Sequence, residues 1–175
     1  REPSLAFFLD LDPRDAAPLP APAAMEQLVS LAASFIWAER DSGCAIGLWA
    51  VASATETQAV EIQTVPNEGV VAYPLREGIR ARTDLLEALA VLGPGEGDFA
   101  ALFEGEGSKL PHGTTVVGCI PSESERLILA AQRLAREGKN VYLLSLTEPR
   151  PEWTSSQTVI RGRVCIQPSI HWAKA

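Results

Sequence analysis

The chain has 175 residues, 46% hydrophobic and 21% charged, within the range of a soluble globular protein with room for one substantial core. Its net charge is −7 and its 15 lysines and arginines are scattered, which disfavours a sequence-independent grip on nucleic acid. No apolar run reaches the roughly 20 residues that span a bilayer.

No basic stretch precedes Leu5, the first residue is Arg1 and the only methionine is Met25, so the expectation is a piece of a longer chain, with any membrane anchor in flanking regions. Cys44, Cys119 and Cys165 are odd in number, lack Cys-x-x-Cys spacing and sit among apolar neighbours. They read as small buried hydrophobes in a reducing cytosol, not as a disulfide framework or a zinc site.

The first element is Leu5 to Asp10. Its bulky residues run without polar alternation, as in a strand buried on both faces of a parallel sheet. Asp10, Leu11, Asp12 and Pro13 end it abruptly, at the carboxyl edge where open α/β sheets place their sites. Prolines 13, 18, 20 and 22 then make a loop above that edge. Ala23 to Arg40 has helical spacing, with Met25, Leu28, Val29, Ala32, Phe35 and Ile36 on the apolar stripe. Cys44 to Ala52 is a second apolar strand. Gln58 to Val65 alternates as a half-exposed strand, and Asn67-Glu68-Gly69 turns it toward a hairpin partner at Val70 to Tyr73.

Thr83 reads as the cap of the next helix, with Leu85, Leu86, Leu89 and Leu92 inward and Gly93-Pro94 as the stop. Asp98 opens a brief helix with Phe99, Leu102 and Phe103 inward, and Gly105 to Gly113 reads as loop. Thr114 to Ile120 is a third buried strand. Ser122 to Glu125 matches a capping box for a helix to about Glu137, with Gly138 just past its end. Asn140 to Leu146 is the next strand, parallel to the third because a helix joins them. A last strand is expected within Thr158 to Gln167, and Pro168 to Ala175 as a tail. Alternating helices and apolar strands define an α/β fold: a three-layer, Rossmann-like, mostly parallel sheet with helices on both faces. The whole chain, 1–175, is expected to form one domain with its core at about 4–146.

Several groups bear on chemistry. Asp10 and Asp12, one residue apart at a strand end, point the same way about 7 Å apart, a pairing that suits a hard cation or a nucleophile with its acid/base partner. His112 and His171 lack partners at metal or triad spacing and read as surface residues. The glycine-rich stretches 93–97 and 105–107 lack the Gly-Lys-Ser/Thr ending of a phosphate loop and read as linkers. Trp153 and Trp172, near the end of the chain, either mark a partner surface or pack on the sheet edge.

An apolar strand ending in Asp-x-Asp resembles the first motif of the haloacid dehalogenase-like phosphotransferases. That family also needs a later lysine and an acidic pair, whereas this chain has no Asp beyond Asp98. The stretch from Arg82 to Leu89, with Thr83-Asp84 and Ala88-Leu89, resembles the Thr-Asp-x-x-x-Ala-Leu segment of von Willebrand factor A-like domains, where the threonine reaches a metal. Residues 30–34, 41–48, 85–90 and 113–117 resemble the bacterial domain of unknown function 58, across roughly residues 4 to 146. That resemblance implies a vWA-like domain serving protein contacts, not an enzyme, with a MoxR-type AAA+ ATPase as partner in an assembly or chaperone-like role. It also implies a degenerate metal site. Asp10 matches the first position of the superfamily's Asp-x-Ser-x-Ser motif and Thr83 its threonine, while Asp12 and Arg14 replace the two serines and Glu123 stands near the later aspartate's place.

The expectation is therefore a cytoplasmic, cofactor-free interaction domain that binds a protein and not nucleic acid, with Arg14, Trp153 and Trp172 as contact candidates. One alternative is an adhesion-type domain holding Mg²⁺ through Asp10, Asp12 and Thr83. The other is a phosphotransferase or hydrolase using Asp10 and Asp12.

Overall fold

A computed structural model describes residues 3–54, 69–153 and 159–164. Its centre is β1 (Ser4–Asp10), where residues 6 to 10 are all buried. β1 pairs in parallel with β2 (Ala45–Val51) on one side and with β6 (Thr115–Ile120) on the other. β7 (Asn140–Ser145) and β8 (Val159–Arg163) extend the sheet in parallel beyond β6. β4 (Val70–Arg76) closes the opposite edge antiparallel to β2, so the six strands run in the order β4-β2-β1-β6-β7-β8. Val70 to Tyr73 thus pairs with β2, while Gln58 to Val65 lies outside the described residues.

Both faces of β1 are covered, which accounts for its unbroken apolar run. Phe7 and Leu9 enter a core built with α1 (Ala21–Ala38) and α2 (Gly78–Val91). Ala6 and Phe8 enter a second core built with α3 (Phe99–Ser108) and α4 (Glu125–Arg136). In that second core Phe8 stacks on Trp49 and meets Phe103 edge-on, at centroid distances of 5.2 and 5.1 Å. Among the described residues no helix is long and apolar enough to cross a membrane.

Three local expectations are corrected. Thr83 is not a cap: α2 begins at Gly78, and Thr83 lies inside it, exposed, with its hydroxyl donating to Ile79 O at 3.1 Å. The helix starts early because the buried stripe reaches back through Arg82 to Ala81. The 105–113 loop is shorter than expected because α3 continues through Gly105 and Gly107. A Cβ at Gly107 would stand 2.7 Å from a Leu134 methyl, so this glycine lets α3 lie close against α4. The cap of α4 is Ser124, which accepts from Leu127 N–H at 3.1 Å, in place of Ser122.

Two short strands complete the carboxyl edge: β3 (Ser53–Ala54) pairs with β5 (Leu92–Gly93). They carry the chain from α2 across the tips of β1 and β2, where Gly95 N–H donates to Leu11 O at 3.2 Å. A Cβ on Gly95 would meet the Ala52 carbonyl carbon at 2.5 Å, so the crossing needs glycine there.

Candidate functional site

The carboxyl tips of β1 and β6 and the first turns of α3 and α4 enclose a cleft of about 580 Å³. Asp10, Arg14, Asp15, Asp98, Glu123 and Arg126 supply its ionisable side chains. The cleft lies at the carboxyl edge, beside the acid that ends β1.

Asp10 is the last residue of β1 and only 5% exposed. Its carboxylate accepts from Asp12 N–H at 3.1 Å and hydrogen-bonds to the Asp15 side chain. Burial above all, then the Asp15 contact, pushes its pKa up to about 8, against the pull of the Asp12 amide. Burial and the Asp15 contact thus favour the protonated form of Asp10, which can donate as well as accept.

Asp12 is not a second acid on the same strand face. β1 ends at Asp10, and Asp12 caps a short 3₁₀ turn, Pro13–Asp15, by accepting from Arg14 N–H at 2.9 Å. The Arg14 guanidinium grips it: Nη2 lies 2.6 Å from Oδ2, and Nε lies 3.0 and 3.1 Å from the two oxygens. Gly97 N–H adds a further bond to Oδ2 at 3.1 Å. The guanidinium first, and then the two amides, hold the Asp12 pKa down at about 2 despite burial. Both oxygens are engaged, and a cation approaching Asp12 must displace Arg14.

Two further acids of the cleft, Asp98 and Glu123, have guanidinium partners. Asp98 caps α3 by accepting from Ala101 N–H and pairs with Arg126 at 2.7 Å, which lowers its pKa. Glu123 follows β6, near the place of the later aspartate of the metal motif. Arg161 of β8 binds it through Nη2 at 2.6 Å and Nε at 2.8 and 3.1 Å.

The sequence candidates separate here. Asp10, Asp12 and Arg14 come together; Thr83 does not join them. β4 runs antiparallel to β2, and Arg76 stands level with Ile46, so α2 starts from the amino edge of the sheet. Thr83, in the first half of α2, faces solvent there. Trp153 is half-buried against the second core, with the Arg150 guanidinium 4.8 Å from its ring centroid. Trp172, His171 and Cys165 lie outside the described residues, and His112 is exposed. Among the described residues no three His, Cys, Asp or Glu side chains stand together as a metal ion would require. Asp15, Asp98 and Arg126 were not singled out from the sequence as site residues; only the capping position of Asp98 marked any of them.

Several solved structures share this arrangement of sheet and helices. The VWA domain of SpRpn10 aligns over 97% of this chain and 92% of its own, at 13% identity and a TM-score of 0.53. The fold is that of a von Willebrand factor A domain. The pilus adhesin SpaC from Lactobacillus rhamnosus GG, in its open conformation, aligns over 82% of this chain at 9% identity and a TM-score of 0.56. The match covers 24% of the adhesin, so this vWA-like chain spans about a quarter of that protein. No family model and no curated protein matches the sequence.

Proposed function

We propose that this vWA-like chain is a non-enzymatic protein-interaction domain whose carboxyl-edge cleft meets its partner without a metal ion. The observation that carries this reading is the engagement of Asp12 by Arg14, repeated at Glu123 by Arg161. Guanidinium groups of the same chain occupy Asp12 and Glu123, two of the acids that a cation would otherwise coordinate. What remains on the rim is a mixed polar surface with short side chains, Ala17, Ala100 and Ser122. Such a surface suits recognition of another protein's polar side chains.

The residue resemblance to the domain of unknown function 58 favours a MoxR-type AAA+ ATPase as that partner. The metal-dependent adhesion reading has less support, since Thr83 stands apart from Asp10 and Asp12. A phosphotransferase reading needs an ionised Asp10 as nucleophile, and the burial that favours the protonated form of this acid weighs against it.

The test is sedimentation of the purified chain with the MoxR-type ATPase of its own genome. The expected result is a complex that Ala17→Glu or Ala100→Arg weakens about tenfold or more and that Leu129→Arg, on the exposed face of α4, leaves intact. Absence of a complex refutes the assigned partner. A complex indifferent to the cleft variants refutes the assigned surface.

A further inference from the structure

We draw no further inference here: the strongest candidate, the Asp10 and Asp15 carboxyl pair in the carboxyl-edge cleft, belongs to the site already described, and nothing in the structure besides the two acids shows what ligand it would hold.

Discussion

The Arg14 guanidinium lies 2.6 Å from the Asp12 carboxylate, from a side chain that is 62% exposed toward one that is 1% exposed. A mostly solvated cation thus neutralises an almost completely buried anion. Removing it leaves Asp12 charged with only the Gly97 and residue-14 amides as donors. Arg14→Ala is expected to lower stability, by less than the loss of a fully buried pair because Arg14 remains in contact with water. Asp12→Asn with Arg14→Ala should recover part of that loss. Chemical denaturation of the three proteins checks it, and an Arg14→Ala protein as stable as the unaltered one contradicts it.

Asp10 gives the fold an unusual pH dependence. Its pKa is about 8 in the fold against an ordinary value of 3.8, so between those limits the folded chain holds one more proton than the unfolded chain. Its contribution therefore makes stability fall as pH rises from about 4 to about 8, and it levels off above. Asp12 acts oppositely at the acid end: its pKa of about 2 gives stability that is full above about pH 4 and is lost as pH falls toward 2. The Tm of Asp10→Asn should therefore fall less between pH 5 and about pH 8 than that of the unaltered chain. Parallel Tm profiles of the two proteins over that range would contradict this assignment.

Arg82 is buried at 4% exposure and serves as a structural tie. Its guanidinium donates to the carbonyls of Glu39, Gly78, Ser42 and Cys44 at 3.0, 3.1, 2.7 and 2.8 Å, joining the end of α1 to the start of α2 and the approach to β2. Arg82→Met is expected to cost about 2–4 kcal/mol, because several carbonyls lose their donor at once. Urea unfolding measures it, and a cost below about 0.5 kcal/mol, the level of an ordinary surface change, would contradict the account.

Two glycines should respond in opposite directions. Gly95→Ala puts a methyl 2.5 Å from the Ala52 backbone and should destabilise by about 1–3 kcal/mol. Gly105 lies inside α3 beside open space, where an added methyl meets nothing within 4 Å, so Gly105→Ala should stabilise by about 0.5–1 kcal/mol. Thermal unfolding of the pair decides it, and equal shifts in one direction would contradict the packing of residues 93–97 across the strand tips.

The fold was legible where burial leaves a periodic trace. β1, β2, β6 and β7 are apolar because both faces are covered, and the amphipathic stripes of α1 and α4 follow from their one covered face. Asp10, Asp12 and Arg14 were legible as a cluster because they are neighbours in the chain. The partners that decide their chemistry were not. Gly97 reaches Asp12 across 85 residues, and Arg161 reaches Glu123 across 38. Such contacts come from strand order, which no local pattern encodes. Thr83 misled for a related reason: Thr followed by Asp is good capping grammar, but the buried Arg82 just before it pulls that turn into the helix interior.

The central claim is that arginines of the same chain hold Asp12 and Glu123 at the carboxyl edge in place of a cation. Calorimetric titration of the unaltered chain with Mg²⁺, paired with its melting curve, tests it most directly. The account predicts no saturable heat and no rise in Tm. Saturable binding with stabilisation, abolished in Asp10→Ala or Asp12→Ala, would contradict it.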